Sequence, residues 1–349
     1  MRGFRTFLEH KIEQSWYGEL HWTELLKPLV PLYRHSATKS RVRGQISATH
    51  SPLDVPVVVV GNITAGGTGK SPVVLKLAAE LTDLGYTPGI LSRGYGARLG
   101  DSPHLVSHGD SAEDIGDEPL MMALSAPHTP VVVDRDRRRG AQFLKTECGV
   151  DLVICDDGLQ HYALPRDVEI VILDSQRGVG NGLLIPAGPL RESVDRLASV
   201  DFVLANGEKE ILSEALSNQI DAVFGVKPKC WRNLETGEPI SLDKPPIFGR
   251  VLAVSAIGNP ERFHQSLRSL GLDPITKVFP DHYAFQASDF SFNPEESALP
   301  LVMTAKDAVK CSGFAEANWW SLEVEAKLPE EFLEGLISRL ASHMNKEEI

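Results

Sequence analysis

An apolar run that ends in a glycine-rich turn and continues as a helical pattern is the feature that most constrains this chain. Residues 55–81 read VPVVVVGNITAGGTGKSPVVLKLAAEL, with a strand pattern before the turn and an amphipathic pattern after it. Backbone N–H groups in such a turn can surround phosphate oxygens, while the lysine adds a cation and the next hydroxyl binds Mg²⁺. The segment therefore predicts a phosphate loop for ATP and Mg²⁺, and we expect the ATP-binding residues to be Thr64, Ala65, Gly66, Gly67, Thr68, Gly69, Lys70 and Ser71.

The loop departs from the general pattern G-x-x-x-x-G-K-S/T at one position, because Thr64 stands where the first glycine is expected. A β-branched residue there restricts the backbone but removes no phosphate donor. Pro72 falls in the first helical turn, where a missing N–H is tolerated. A structural turn that carries Gly-Lys-Ser by chance is the alternative. The strand pattern before it and the helical pattern after it favour the phosphate loop.

Short apolar runs alternate with helical patterns through the middle of the chain. This order predicts a mostly parallel sheet covered by helices on both faces. We predict an α/β fold with a P-loop NTPase-like core at residues 45–221 and a two-stranded, hairpin-like linker at residues 222–245. A smaller α/β domain at residues 246–349 is expected to close over the active site, with a C-terminal helix able to pack on the core. The predicted strands of the core are residues 55–60, 129–133, 152–155, 168–173 and 201–205.

Residues 1–44 differ in charge from the rest of the chain. They contain eight Lys or Arg and four Glu, whereas the whole chain has a formal charge of −12. Apolar residues recur every four positions at Phe4, Leu8, Ile12 and Trp16, which predicts an amphipathic helix or a broken pair of helices. Two interpretations remain open: the segment packs on its own domain, or it lies in a membrane interface with aromatic side chains at headgroup depth. Those aromatic residues are Trp16, Tyr17, Trp22 and Tyr33.

Charge and composition exclude several classes of protein. The acidic total argues against a nucleic-acid binder. Four cysteines without a C-x-x-C pair indicate a reduced, cytosolic chain with no cysteine-based metal site. No apolar run approaches the roughly 20 residues that span a bilayer, and the start lacks the features of a signal peptide. We expect neither export nor a transmembrane segment, and no obligate protein partner is evident.

Two acidic stretches could complete the chemistry of a phosphate loop. Asp156 and Asp157 follow a predicted buried strand in VDLVICDDGLQH, the place where a Walker B carboxylate holds Mg²⁺. A solvated Asp-Asp-Gly turn is the alternative, and Asp174, at the end of the next strand, is a rival ligand.

An attacking hydroxyl also needs a group that positions it. Asp117 and Glu118 precede a predicted helix, and His282 lies in Asp281-His282-Tyr283, although a helix cap and a surface histidine are the simpler interpretations. These patterns alone predict an Mg-ATP-dependent transferase or NTPase.

A longer series of motifs resembles the tetraacyldisaccharide 4'-kinases, the lipid A 4'-kinases of Gram-negative bacteria. The amino-terminal segment is also similar to the membrane-facing helix of that family, and Thr64 belongs to the family's own form of the loop. Ala305 departs from the family, which usually has Glu there, so no essential acid is assigned to that position; Leu159 replaces a more usual Phe. The similar stretches are VGNITAGGTGKSP (60–72), LSRGYG (91–96), GDEPLMMA (116–123), VVVDRDRRRGA (131–141), DDGLQH (156–161), GNGLLIPAGPLRE (180–192), IGNPERFHQSLRSLG (257–271), FPDHYAF (279–285) and TAKDAVKC (304–311).

The resemblance implies ATP-dependent phosphorylation of the 4'-hydroxyl of a tetraacylated glucosamine disaccharide 1-phosphate, by a peripheral enzyme on the cytoplasmic face of the bacterial inner membrane. Lys70 and Asp117 would be catalytic, with His282 reaching Asp117 from another domain. Mg²⁺ would be held by Ser71, Asp156, Asp157 and Glu118. The residues expected to hold the anionic lipid disaccharide are Arg93, Tyr95, Arg135, Arg137, Asn181 and Arg191.

Two other functions remain as alternatives to the kinase. A membrane-associated regulatory ATPase would also join a phosphate loop to an amphipathic helix, but that group carries a lysine where this chain has Ala65. A nucleotide-binding scaffold would tolerate the loss of Asp117.

Overall fold

The computed structural model describes residues 11–49 and 53–344. Its strands are β1 (Val57–Gly61), β2 (Pro88–Ser92), β3 (His104–Leu105), β4 (Val131–Val133), β5 (Leu152–Asp156), β6 (Val168–Asp174), β7 (Phe202–Asn206), β8 (Ala222–Asn233), β9 (Pro239–Ser241), β10 (Arg250–Ser255), β11 (Asp273–Val278), β12 (Leu301–Thr304) and β13 (Trp319–Lys327).

The α-helices bounded within these residues are α1 (Val30–Thr49), α2 (Lys70–Asp83), α3 (Ala112–Ile115), α4 (Asp117–Ser125), α5 (Arg137–Cys148), α6 (Glu214–Ser217), α7 (Pro260–Ser269), α8 (Pro294–Ser297), α9 (Ala305–Ala308) and α10 (Glu330–Met344). Residues 11–17 are also helical. Short 3-10 helices lie at Trp22–Leu29, Val194–Ser199, Lys209–Ile211 and Ala287–Phe290.

The chain divides into two compact units, and each unit is assembled from separate stretches of sequence. The first unit contains Met1–Arg93, Asp134–Gly225 and Lys327–Ile349, and the second contains Gly94–Val133 and Val226–Ala326. This division differs from the predicted boundaries, which placed residues 94–133 in the core. Residues 327–349 were predicted in the smaller domain with a C-terminal helix able to pack on the core, and they belong to the first unit. The local pattern of a strand or helix does not say which sheet it joins, so the sequence could not assign residues 94–133.

A parallel sheet in the order β8-β7-β6-β1-β5-β2 forms the centre of the first unit. β1 lies between β5 and β6, with Val60 beside Asp156 on one side and Gly61 beside Val171 on the other. All four valines of β1 are fully buried, which explains the continuous apolar run, since a central parallel strand is covered on both faces. The α/β fold and the mostly parallel sheet predicted from the sequence are confirmed.

Helix α2 begins at the end of the glycine-rich turn and packs its apolar side on this sheet. Gly69 precedes it in a left-handed conformation, with φ of 94°. Leu77 and Ala78 are fully buried. The helix ends at Asp83, and Gly85, whose φ is also 94°, follows it. The N–H of Tyr86 donates to the carbonyl of Leu81, as in the glycine-terminated helix ends common in proteins.

The second unit contains its own parallel sheet, in the order β11-β10-β12-β13. Its core joins Trp231 to Val251, Leu267 and Val302. β8 and β9 pair as an antiparallel hairpin, with Trp231 opposite Ile240. An antiparallel hairpin is therefore present within the predicted two-stranded segment at residues 222–245.

The amino-terminal segment packs on the first unit. The Trp16 indole donates to the carbonyl of Pro186 (3.4 Å), and the Tyr33 hydroxyl donates to that of Arg191 (3.0 Å). Ser15 and Thr23 are buried and share a hydrogen bond of 2.8 Å. Phe4 and Leu8 lie outside the described residues. The polar groups of Trp16 and Tyr33 thus pack on the protein, as the first interpretation expects, because each donates to a backbone carbonyl.

Among the residues that the structure describes, no helix combines the length and the apolar character required to span a bilayer.

Shortening a buried side chain of α2 tests the packing of this helix. Leu77→Ala is expected to lower the free energy of unfolding by about 2–5 kcal/mol, because it removes a fully buried side chain and leaves a cavity. Leu84→Ala is the control, since Leu84 is 54% exposed at the end of the same helix, and it should cost less than about 0.5 kcal/mol. Urea unfolding measures both, and equal losses would contradict the packing described.

Candidate active site

The segment after β1 explains why a threonine occupies the first glycine position of the phosphate loop. Thr64 forms an antiparallel bridge with Leu190, and the N–H of Ala65 donates to the carbonyl of Pro189 (2.8 Å). The left-handed residues of the loop are Gly66, with φ of 103°, and Gly69, with φ of 94°. Because position 64 is in extended, paired backbone, it needs no glycine.

The same pairing narrows the predicted ATP-binding segment. Thr64 is 2% exposed, and the backbone N–H and carbonyl of Ala65 both have protein partners, Pro189 and Tyr17. Within residues 11–49 and 53–344, the N–H groups of Gly66, Gly67, Thr68 and Gly69 have no protein acceptor. The donors available to a phosphate therefore begin at Gly66, two residues later than the sequence suggests.

Lys70 and Arg191 share one carboxylate beside the loop. Lys70 Nζ lies 3.4 Å from Asp157 Oδ1, and the Arg191 guanidinium lies 3.0 Å from both oxygens of Asp157. Burial would raise the pKa of Asp157, but the charges of Lys70 and Arg191 outweigh it and hold this pKa well below its usual range. Asp157 is thus ionised. Arg191, predicted to hold the disaccharide, instead lies with the phosphate loop.

Asp156 ends β5 and is 2% exposed. The Arg137 guanidinium donates to the backbone carbonyl of Asp156 (3.1 Å) and is itself 2% exposed. Arg137 is the first residue of α5, and Asp136 caps the helix through the N–H groups of Arg138 and Arg139. This start directs Arg137 inward, and its burial does not support the predicted direct contact with the disaccharide.

The residues near the loop fit a magnesium ion. Mg²⁺ prefers oxygen ligands and usually combines one or two protein groups with phosphate oxygens and water. Ser71 supplies a hydroxyl at the start of α2, while Asp156 and Asp157 supply carboxylates at the end of β5. No group of three His, Cys, Asp or Glu side chains suited to a metal is present in the described part of the chain. The donor set therefore suits a metal that phosphate oxygens help to hold.

Asp117 and His282 form a hydrogen-bonded pair within the second unit. His282 Nδ1 lies 3.0 Å from Asp117 Oδ2, and Asp117 is 7% exposed at the first residue of α4. Burial would raise the pKa of Asp117, but the hydrogen bond from His282 and the charge of Lys306 lower it to about 2. The hydrogen bond with Asp117 in turn raises the pKa of His282. Asp117 is ionised at neutral pH and holds the imidazole in place.

The pair corrects one inference about the domains. Asp117 and His282 were predicted to lie in different domains, and a closing motion was inferred from that separation. Both belong to the second unit. The positions of Asp117 and His282 therefore give no reason to expect that one domain closes over the other.

Lys306 is the residue of this group that sequence reasoning missed. Its ammonium lies 3.1 Å from Glu118 Oε1, 3.6 Å from Asp281 Oδ1 and 3.4 Å from His282 Nε2. Burial alone would lower the pKa of Lys306, but the Glu118 and Asp281 carboxylates raise it above its ordinary value. Glu118, a predicted metal ligand, is thus paired with Lys306. The sequence signal that could have identified Lys306 is its place in the similar stretch TAKDAVKC (304–311).

The remaining predicted residues fall into three groups. The ring of Tyr95 lies 5.4 Å from that of His282, within the second unit. Arg93 and Arg135 are exposed. The Asn181 amide donates to the carbonyl of Ala187 (2.9 Å) and accepts from the N–H of Leu183 (3.2 Å). Asn181 therefore stabilises its own loop, which leaves its amide oxygen and nitrogen already engaged and argues against direct contact with the disaccharide.

The pKa of His161 lies at about 4, because burial and then the charges of Arg137 and Arg166 disfavour the imidazolium. His161 is therefore neutral near pH 7.

The opposite shifts of Asp117 and His282 predict a stability window. The lowered pKa of Asp117 stabilises the fold above its ordinary value of 3.8, and this contribution is lost as pH falls through about 2. The raised pKa of His282 stabilises the fold below the ordinary value of 6.5, and this contribution is lost as pH rises through the raised value. His282→Gln should therefore destabilise the protein more at about pH 5 than at about pH 9 in urea unfolding. His128→Gln, at an exposed position, is the control, and a loss that does not vary with pH would contradict the pairing.

Comparisons with known proteins place the chain among related sequences. A family model described as tetraacyldisaccharide-1-P 4'-kinase matches residues 22–341. The tetraacyldisaccharide 4'-kinase of Pseudomonas putida is 44% identical over 316 residues, which is 90% of this chain and 91% of the relative. That of Ectopseudomonas mendocina is 42% identical over 334 residues, or 95% of this chain and 97% of the relative.

A solved structure is similar over most of the chain. This structure is LpxK from Aquifex aeolicus in complex with ATP, and its sequence is 29% identical to this chain. The superposition has a TM-score of 0.71 and includes 91% of this chain and 99% of the other. The family model matches most of the chain, and the two relatives are 42–44% identical over more than nine tenths of their own length. The chain therefore belongs to the tetraacyldisaccharide 4'-kinase family.

Proposed function

We propose that the chain transfers the γ-phosphoryl group of ATP to the 4'-hydroxyl of a tetraacylated glucosamine disaccharide 1-phosphate, with Lys70 and Asp117 as its catalytic residues. The observation that carries these assignments is the presence of two ionised carboxylates, each paired with neighbouring basic side chains. Asp157 lies with Lys70 and Arg191 at the phosphate loop, and Asp117 lies with His282 in the second unit. The family match supports the reaction itself.

Lys70 would hold the phosphate oxygens, together with the N–H groups from Gly66 onward. Its ammonium lies at the start of α2, where the helix dipole also favours negative charge. Ser71, Asp156 and Asp157 would hold Mg²⁺, which neutralises phosphate charge when bound. Lys70 and Arg191 form ion pairs with Asp157, so the protein balances the charge of this carboxylate without a metal ion.

Asp117 would orient the sugar hydroxyl and receive its proton. A carboxylate whose pKa is about 2 is a weak base, but phosphoryl transfer has a loose transition state in which the nucleophile needs orientation more than early deprotonation. His282 fixes the carboxylate by its hydrogen bond, and Lys306 contacts both His282 and Glu118. The exposed side chains of Arg93, Tyr95 and Arg135 remain the candidates for holding the anionic disaccharide.

The regulatory ATPase is the less favoured alternative. It lacks support from the loop, because Ala65 occupies the position of its characteristic lysine. It also gives no role to the pair of Asp117 and His282.

Transfer of labelled phosphate tests the proposal. Wild type is expected to move label from γ-labelled Mg-ATP to the 4'-position of detergent-dispersed tetraacyldisaccharide 1-phosphate. Lys70→Ala and Asp117→Asn should each lower kcat by at least about 100-fold, because each removes a charge that acts on the reacting groups. Lys227→Ala and Asp101→Asn, at exposed positions, are the matched controls. If wild type hydrolyses ATP but does not label the lipid, the proposed kinase activity is contradicted and the regulatory ATPase is favoured.

We also propose that the amino-terminal segment attaches the enzyme peripherally to the cytoplasmic face of the bacterial inner membrane. Leu20, Leu25 and Leu32 are 82%, 83% and 70% exposed, and Trp22 is 42% exposed. Helix α1 contains Arg34, Lys39, Arg41 and Arg43 and no acidic residue. Exposed leucines beside basic residues suit a surface of anionic lipid.

Vesicle sedimentation tests this attachment. The double variant Leu20→Glu and Leu25→Glu should bind phosphatidylglycerol-containing vesicles at least about tenfold more weakly, because it removes apolar area and adds like charge. Leu84→Glu, at an exposed leucine after α2, is the control. Unchanged binding by the double variant would contradict the assignment of this surface.

A further inference from the structure

Three side chains hold the carbonyl groups of the phosphate loop from outside. The Tyr17 hydroxyl donates to the carbonyl of Ala65 (3.2 Å). The Asn62 amide donates to that of Gly66 (3.2 Å), and the Asn206 amide donates to that of Thr68 (3.1 Å). Sequence reasoning gave Asn62 and Asn206 no individual role and considered Tyr17 only for a membrane interface.

The direction of these bonds matters because a peptide unit is planar and trans, so its carbonyl and the following N–H point in opposite directions. A donor that fixes the carbonyl of Ala65 therefore also fixes the N–H of Gly66. By the same geometry, Asn62 fixes the N–H of Gly67 and Asn206 fixes the N–H of Gly69. These N–H groups have no protein acceptor among the described residues. The three donors thus hold the amides turned away from the protein, the arrangement that phosphate oxygens require.

Two of the donors lie at the ends of buried strands, and the third packs beside an arginine. Asn62 follows β1 and is fully buried, and Asn206 ends β7 at 5% exposure. The Arg177 guanidinium lies 5.2 Å from the centre of the Tyr17 ring, a distance at which a cation is attracted to the face of an aromatic ring. Burial raises the pKa of Tyr17 to about 12, so its hydroxyl keeps its proton and remains a donor.

The close approach of Asn206 also explains Gly69. A Cβ at position 69 would lie 2.5 Å from Asn206 Nδ2, too close for any other residue unless the amide moved. Position 69 therefore needs glycine both for its left-handed φ and for this contact.

We infer that Tyr17, Asn62 and Asn206 are positioning residues that preorganise the phosphate loop, and that the amino-terminal segment takes part in ATP binding through Tyr17. This inference rests on the proposed role of the loop in holding ATP. It gives residues 11–17 a function in the nucleotide site, separate from any contact with lipid.

Titration calorimetry without lipid tests it, with ATP, ADP and adenosine as separate ligands. Tyr17→Phe removes one hydroxyl and keeps the ring beside Arg177. We expect its Kd for ATP and for ADP to rise about three- to tenfold, as for a lost hydrogen bond, while the Kd for adenosine, which has no phosphate, stays at the wild-type value. Asn206→Leu removes the amide at similar volume and should act in the same direction. Tyr86→Phe removes a hydroxyl outside the loop in the same unit and is the matched control.

The outcomes separate the two claims. Failure of wild type to bind ATP would remove the proposed role of the loop. Wild-type binding with an unchanged Kd for ATP in Tyr17→Phe would overturn only the positioning role. A loss that extends equally to adenosine would overturn it too, because it would indicate a general change in structure. If Asn206→Leu does not fold, as judged by its thermal transition, Tyr17→Phe alone decides.

Discussion

The burial of β1 is the constraint on which the first unit depends. Its valines are fully enclosed, and both of its edges are paired, with β5 and β6. Because the strands of this sheet are parallel, the loop that directly follows each strand lies at the carboxyl edge of the sheet. Ligands of open α/β sheets bind at this edge. The phosphate loop after β1, Asp157 after β5 and Asn206 at the end of β7 meet there because their strands are neighbours or near neighbours.

Compensated charge is the second organising principle, and it recurs in both units. Asp157 is held ionised by Lys70 and Arg191, and Asp117 by His282 and Lys306. In each case burial opposes the charge, and hydrogen bonds together with neighbouring positive charges outweigh it. A protein that must handle a highly charged nucleotide gains from this arrangement, because its own carboxylates are already stable as anions and need no reorganisation when the ligand arrives.

The errors of sequence reasoning share a cause. Arginines and asparagines within a recognised motif were assigned to the disaccharide because their chemistry suits an anionic sugar. Arg137 instead supports the carbonyl of Asp156, and Asn181 closes its own loop. Thr64, an exception to the general motif, became intelligible only when its pairing with Leu190 showed an extended backbone. A motif states which residue types occur together, whereas the direction of each side chain depends on where its helix or loop begins.

The sequence by itself determined the α/β class, the phosphate loop, the acids at the ends of their strands and the family. Those features depend on local periodicity or on residues adjacent in the chain. Only the tertiary structure decided that residues 94–133 join the second unit, that Lys306 lies between Glu118 and His282, and that Tyr17 supports the loop at Ala65. Each of these contacts joins residues far apart in the sequence. No local pattern encodes such a contact, because it exists only after two separately folded stretches have packed together.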